Sequence, residues 1–441
     1  MSGLNTSLFR FIFANVILLT YVTVATAQTY KVGDRVVPVT TAPLTLDGKE
    51  VDKIFPGISL TVLAVQEGQL RVRFNKPGWL ESKNVILLDQ AVPFFTKAIE
   101  KEPDNLTWRF ARATVQREMG DLNSAIAEYT ELIRRKPDDV AFWVHRGNAR
   151  FSKKDYDGAI SDFAEAIRLN PKEPGVYVSR GVARTWKRDF DGAIQDFNDA
   201  IRLNPQHAPA YNNRGNARDS QGDRNGAIED FTEAIRLDPN NGLAHYNRGN
   251  ARHFMGDDNG AIQDYTESIR LDPGNAGAYT NRGNVQQDKG GYDGAIQDYS
   301  RAIQLNPKQA PAFFNRGDAR HSKGDYEGAM QDYRTSLRLD PSKPNVHVRV
   351  AWLMATCPES KYRNGIKAIE HAKRVVELLG EKDDRAPDTL AAAYAETGDF
   401  DEAFKYQTKA LELAPERSKA EYRTRLDLYK SGNPYREASK K

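Results

Sequence analysis

A 34-residue period constrains this chain more strongly than any other sequence feature. Gly215 marks the period, because the positions one or more periods away hold only small residues: Ala113, Gly147, Gly181, Gly249, Gly283, Gly317 and Ala351. A repeat of this length is typical of antiparallel helix pairs that stack on their neighbours, since one pair alone cannot bury its apolar face. The period therefore predicts a mainly α fold, a superhelical solenoid of antiparallel helix pairs.

Three further slots recur with the same period. An alanine, such as Ala227, is followed four residues later by Phe or Tyr, and each period closes on a proline. Near the start of the period, most repeats carry an aromatic residue such as Tyr211. This order resembles the tetratricopeptide repeat, whose motif combines the same residue types. The resemblance implies a scaffold that binds peptides or proteins, with the first helix of each pair lining a concave groove.

The slots also predict the domain boundaries of the helical part. Seven regular repeats are expected at 106–343, an irregular eighth repeat with an insertion at 344–383 and a ninth at 384–417. A half-repeat at 90–105 is expected to cap the first full repeat, because the end of a solenoid otherwise exposes an apolar face. Residues 418–441 are charged and predict an end cap with a loose tail.

Residues 28–89 have a different residue pattern, in which short runs of β-branched residues are separated by turns that contain glycine. They predict five or so short strands in a small β-barrel ahead of the solenoid. The order of turns, ending in Gly78-Trp79-Leu80 and a closing strand, resembles bacterial SH3-like domains. That resemblance implies binding of peptides or cell-wall material, so peptidoglycan is an alternative partner. Trp79 is expected in the barrel core.

Residues 1–27 have the pattern of a signal peptide. Arg10 is followed by the apolar run Phe11–Val24 and by the small-residue site Ala25-Thr26-Ala27. The run is short for a membrane span of about 20 residues. We therefore expect cleavage after Ala27, export to the periplasm or secretion, and no stable membrane span afterwards. An uncleaved anchor is the alternative.

Two slots on the first helix depart from the motif, since both hold arginine. The first slot includes Arg214, and the second holds Arg150, Arg184, Arg218, Arg252 and Arg320. The slots are four residues apart and share one helix face, so the second set is a candidate for anion contacts. The alternative is internal pairing with an acid of the second helix, and we expect Arg214 to pair with Asp230. Gly215 and Ala227 are expected to be structural.

Asparagine recurs on the first helices in two slots. One holds Asn213, Asn247, Asn281 and Asn315, and the other holds Asn148, Asn216, Asn250 and Asn284. An asparagine can hold a peptide backbone through its donor and its acceptor together. The spacing is similar to the asparagine ladder in the repeat domain of O-linked N-acetylglucosamine transferase, and by family analogy Trp186, His253, Phe254 and His321 also face the groove. The alternative is that these asparagines bridge neighbouring first helices.

Charge and composition narrow the function classes. The 63 basic and 60 acidic residues give a net charge of +3, so we expect no nucleic-acid partner. The arginine ladders leave a binder of acidic ligands open. The sequence contains no metal-ligand cluster, nucleophile elbow or phosphate-binding glycine loop, and we expect no catalytic residue, metal or cofactor. The single cysteine, Cys357, is expected to be a small buried apolar residue. The preferred function is a non-enzymatic scaffold that binds an extended peptide or protein partner.

Overall fold

The computed structural model describes residues 29–439 except residues 47, 67, 381 and 382. The expected signal peptide lies outside the described residues. The chain divides after Leu237 into two compact units. Within the described ranges, no helix combines the length and apolar character that a membrane crossing requires.

The first unit begins with an antiparallel sheet of seven short strands. They are β1 (Arg35–Pro38), β2 (Ala42–Leu46), β3 (Lys49–Ile54), β4 (Leu60–Gln66), β5 (Gln69–Arg73), β6 (Pro77–Glu81) and β7 (Val85–Leu87). Their order across the sheet is β3-β2-β6-β5-β4-β1-β7. The sequence predicted about five strands, because β2 contains Pro43 and the edge strand β3 is mostly polar.

One side of the sheet holds an apolar core that includes Val36, Leu70 and Leu80. Successive strand residues point to opposite sides. Because Leu80 faces the core, its neighbour Trp79 lies half-buried on the opposite side of β6. The expectation that Trp79 belongs to this core is therefore wrong.

Nine α-helices complete the described part of the first unit. Helix α1 (Leu88–Lys101) precedes four antiparallel pairs: α2 (Leu106–Glu118) with α3 (Leu122–Arg135), α4 (Val140–Ser152) with α5 (Tyr156–Leu169), α6 (Pro174–Trp186) with α7 (Phe190–Leu203), and α8 (Ala208–Gln221) with α9 (Arg224–Leu237). Gly215 allows the helices of its pair to approach, since a Cβ atom there would lie 2.7 Å from Cε1 of Phe231. Each pair packs on the next, as a solenoid requires.

Eleven α-helices form the described part of the second unit. They are α10 (Gly242–Phe254), α11 (Asp258–Leu271), α12 (Ala276–Asp288), α13 (Tyr292–Leu305), α14 (Ala310–Ser322), α15 (Tyr326–Leu339), α16 (Pro344–Thr356), α17 (Gly365–Leu379), α18 (Arg385–Thr397), α19 (Phe400–Leu413) and α20 (Glu416–Lys430). The insertion in the eighth repeat carries a short 3₁₀ helix, Ser360–Tyr362. Cys357 at the end of α16 is fully buried, and burial raises the pKa of its thiol.

The segment after α20 is not the loose tail that its charge suggested. The backbone N–H of Glu437 donates to the carbonyl of Thr356 at 3.0 Å. The Glu437 side chain accepts a hydrogen bond from the Trp352 indole at 2.8 Å. Residues 435–437 are therefore held against α16, although the segment has no regular secondary structure.

Candidate functional site

The first arginine ladder lies inside the repeats. Nη2 of Arg214 is 2.5 Å from Oδ1 of Asp230, and Asp230 is only 2% exposed. The same pair recurs as Arg146–Asp162, Arg180–Asp196, Arg248–Asp264, Arg282–Asp298 and Arg316–Asp332, with Glu128 as the acid for Arg112. Nη1 of Arg214 also donates to Asn198 of the preceding repeat at 2.6 Å. The guanidinium therefore joins the two helices of its own repeat and the repeat before it.

The second arginine ladder shares the same carboxylates. Nη1 of Arg218 lies 3.0 Å from Oδ2 of Asp230 and donates to the carbonyl of Gly226 at 3.2 Å. Arg150, Arg184, Arg252 and Arg320 pair in the same way with Asp162, Asp196, Asp264 and Asp332 at 2.8–2.9 Å. The arginines considered as anion contacts thus already pair with buried carboxylates, each of which is shared with an arginine of the first ladder.

One of these carboxylates shows how burial and pairing compete. Burial alone would raise the pKa of Asp264, because it disfavours the charged form. Hydrogen bonds from His245 and Arg248 outweigh burial and lower the pKa below its usual value. Asp264 therefore stays ionised at neutral pH, as the pairing with Arg248 and Arg252 requires.

The asparagine slots form a hydrogen-bonded network in the second unit. Nδ2 of Asn281 on α12 donates to Oδ1 of Asn250 on α10 at 2.8 Å, and the Tyr265 hydroxyl donates to the same oxygen at 2.9 Å. Asn315 and Tyr299 both donate to Oδ1 of Asn284 in the same way, each at 2.9 Å. Asn247 lies half-buried one turn before Asn250 on α10. In this unit the side chains bridge neighbouring first helices, which is the structural alternative.

The first unit lacks this network because its sequence differs at two positions. Phe231 stands in the slot of Tyr265 and has no hydroxyl to donate, and Val182 stands where an asparagine would accept from Asn213. Asn213 and Asn216 are half-buried on α8, and neither side chain hydrogen-bonds to another residue of the described chain. On α4, the buried Nδ2 of Asn148 also has no hydrogen-bond partner among the described residues.

Trp186 is an exposed aromatic candidate of the first unit. It ends α6, is 63% exposed, and stacks on Tyr156 with ring centroids 6.1 Å apart. A pocket of about 470 Å³ beside it is lined by Thr185, Trp186, Arg188, Phe190 and Ser220. Helix α6 contacts α4 on one side and α8 on the other, so Trp186 and the free asparagines lie on adjacent first helices.

The three remaining candidates belong to the second unit. Nδ1 of His253 lies 2.8 Å from Oδ1 of Asp258 across the turn, and Phe254 beside it is 69% exposed. His321 is 9% exposed, since Glu437 of the C-terminal segment lies 3.1 Å from its Nε2 atom. The contact with His321 could not be predicted from the sequence, because residues 433–439 follow the last repeat and carry no periodic signal. No group of three potential metal ligands occurs among the described residues.

Comparisons with protein families match most of the repeats. Family models described as tetratricopeptide repeat match residues 110–174, 208–241 and 389–417. A model described as TPR repeat matches 249–290, 287–324 and 317–350. Together these stretches cover about half of the chain. No curated protein sequence matches the chain significantly.

The chain is also similar to solved structures of other proteins. A MamA protein is 27% identical, with 39% of this chain and 94% of that chain covered and a TM-score of 0.36. YrrB, described as a TPR protein with an unusual peptide-binding site, is 21% identical, with coverages of 41% and 92% and a TM-score of 0.36. Yeast Tom70 is 17% identical, with coverages of 78% and 92% and a TM-score of 0.37.

Proposed function

Because the chain belongs to the tetratricopeptide-repeat family, we propose that it is a non-enzymatic scaffold that binds an extended peptide or protein segment along its first helices. One observation carries this proposal. Asn213 and Asn216 keep their amide groups free of protein partners, whereas Asn281 and Asn250 use theirs on each other.

Free, half-buried amides on a helix face suit the backbone of an extended segment. Asn213 and Asn216 are three residues apart, so they lie on the same face of α8. Each side chain offers two N–H donors and one carbonyl acceptor. An extended peptide presents the same groups in alternation and can satisfy both. The binding surface proposed for the first unit therefore consists of Trp186, Asn213 and Asn216.

Trp186 supplies the apolar part of this surface. Its ring stacks on Tyr156, and it borders a pocket large enough for one side chain of a ligand. Exposed aromatic residues of this kind bury much area at a low entropic cost, and they are enriched where proteins bind each other. The contacts favour a peptide over an acidic ligand, because the arginine ladders already face carboxylates.

The test is a binding measurement on the intact chain and the double variant Asn213→Ala/Asn216→Ala. Peptides selected against the wild-type chain from a random display library are titrated into both proteins by calorimetry. Two lost hydrogen bonds of about 1 kcal/mol each predict an affinity lower by roughly tenfold or more. The melting temperature should change little, because these amides hold no other part of the protein.

Asn225→Ala is the matched control. Asn225 lies exposed on α9, outside the proposed surface, and its substitution should leave the affinity unchanged. Equal affinities of all three proteins for every selected peptide would reject the proposed surface.

A further inference from the structure

The C-terminal segment of the chain crosses the ends of three first helices of the second unit. Residues 433–439 follow α20 in an extended course without regular secondary structure. The segment contacts α18 through Glu396, α16 through Trp352 and Thr356, and α14 through His321. His321 is one of the residues that the repeat pattern assigned to the groove. Residues 433–439 of the chain thus lie against a residue that the family resemblance predicts to contact a ligand.

Two side chains of the segment make the specific contacts. The Tyr435 ring lies 5.9 Å from the Trp352 ring and 5.5 Å from the Arg425 guanidinium. The Glu437 carboxylate accepts from the Trp352 indole at 2.8 Å and lies 3.1 Å from Nε2 of His321. Trp352 therefore contacts both an aromatic residue and the carboxylate two positions later.

The intervening residue and the backbone complete the contact. Arg436 donates to the carbonyl of Ala355 at 3.0 Å and pairs with Glu396. The N–H of Glu437 bonds to the carbonyl of Thr356. Both carbonyls lie at the end of α16, where a helix leaves its last acceptors unused. The acceptors and the Trp352 donor belong to the folded repeats and do not depend on which segment meets them.

We propose that the ends of α14, α16 and α18 form a binding site for an extended segment with an aromatic residue two positions before a carboxylate, and that residues 433–439 occupy this site as a displaceable internal ligand. A partner segment with the same pattern would replace the tail and reach the same groups. The site deepens the proposed function, since it names a second surface of the scaffold and the chemistry of its partner.

The balance of contacts makes the tail displaceable. Tyr435 is only half-buried, and residues 438 and 439 are exposed. Most of the contacts are polar, and polar contacts add only modest net stability because water hydrates the same groups once the segment leaves. Segments with few buried apolar contacts open locally while the rest of the protein stays folded. The short connection to α20 keeps the tail at a high effective concentration, so it competes with any partner.

The test uses a chain that ends at Lys430 and a synthetic peptide of residues 431–441. Titration followed by calorimetry should show one peptide bound per truncated chain. The same peptide should bind the intact chain at least about tenfold more weakly, because the tethered tail already fills the site. Peptides with Tyr435→Ala or Glu437→Gln should each bind the truncated chain about tenfold more weakly.

A second variant guards against misfolding of the truncated chain. The full-length double variant Tyr435→Ala/Glu437→Ala keeps its length and should bind the wild-type peptide as the truncated chain does. The proposal is overturned if neither variant binds the peptide, if the intact chain binds it equally well, or if the two peptide substitutions have no effect. None of these measurements involves Asn213 or Asn216, so failure of the proposed surface in the first unit is distinguishable from failure here.

Discussion

At the scale of single residues, the buried carboxylate of Asp230 holds two arginines. It accepts from Arg214 and Arg218, which come from two consecutive turns of α8. Removing one side of a buried ion pair leaves a charge without compensation, which typically costs about 3–5 kcal/mol. Asp230→Ala should therefore lower the free energy of unfolding by about that amount. Hydrogen exchange in α8 and α9 should report the loss locally, since repeat arrays can unfold in parts.

Asp138→Ala provides the comparison for Asp230. Asp138 is exposed in the turn before α4, and surface substitutions usually change stability by less than about 0.5 kcal/mol. A similar loss in both variants would mean that the arginine pairs are not structural.

Residue identity also explains why the candidate site was only partly predictable from the sequence. The spacing predicted that Asn213 and Asn281 occupy one slot and that Asn216 and Asn250 occupy another, and the structure places both slots on the first helices. It could not say which would be free, because that depends on a residue 15 or 31 positions away. A hydroxyl on Tyr265 engages Asn250, whereas Phe231 leaves Asn216 without that donor.

At the scale of helices, the turn inside each pair is built by a short polar network. Asp223 caps α9 by accepting from the N–H of Gly226 at 3.0 Å, and Arg218 reaches the same turn. A Cβ atom on Gly226 would lie 2.2 Å from Oδ2 of Asp223. Glycine therefore leaves room in this turn for the side chains of Asp223 and Arg218, although it is a poor helix former.

This network predicts the sign of a glycine substitution. Helix propensity alone would make Gly226→Ala stabilising by up to about 1 kcal/mol. We expect a loss of about 1 kcal/mol instead, because the new methyl group displaces the Asp223 cap. Gly175→Ala near the start of α6 is the control, since its nearest neighbour would be Glu173 Oε1 at 3.4 Å. Thermal melting of both variants decides the question, and stabilisation by Gly226→Ala would contradict the steric account.

Helix boundaries were the most predictable part of the fold. The capping aspartates and the closing prolines repeat with the period, and the helices begin and end beside them. The strands were less predictable. Pro43 in β2 and the polar residues of β3 depart from the alternating apolar pattern that identifies a strand. The course of residues 433–439 could not be predicted, because single contacts such as Glu437 with Trp352 leave no periodic trace.

At the scale of the whole molecule, the sheet and the first repeat share one core. Val37 and Ile86 of the sheet pack with Phe95 of α1 and Trp108 of α2. Arg35 of β1 pairs with Glu118 at the end of α2. The sheet therefore covers the apolar face that the first repeat would otherwise expose. The change in residue pattern predicted a boundary between residues 89 and 90, but a residue pattern cannot show whether two segments share a core.

The shared core predicts different costs for two glycines of the sheet. Gly33 and Gly57 both have positive φ angles, +95° and +87°, so alanine at either position costs roughly 1–2 kcal/mol in backbone strain. No atom lies within 4 Å of a Cβ at Gly33, whereas a Cβ at Gly57 would lie 2.7 Å from Cα of Ala111 in α2. Helix backbone cannot yield as a flexible side chain can, so the sheet and α2 must separate in Gly57→Ala.

We expect Gly57→Ala to cost about 1–3 kcal/mol more than Gly33→Ala, because a methyl group is forced into a filled core. Hydrogen exchange should become faster in α2 only in Gly57→Ala, and the fluorescence of Trp108 should change only there. If both variants lose the same stability and α2 keeps its protection, the sheet and the repeats fold independently. A larger effect at Gly57 that spreads into α2 would support the sheet as the amino-terminal cap of the solenoid, because the strain would pass through the core that the sheet shares with the first repeat.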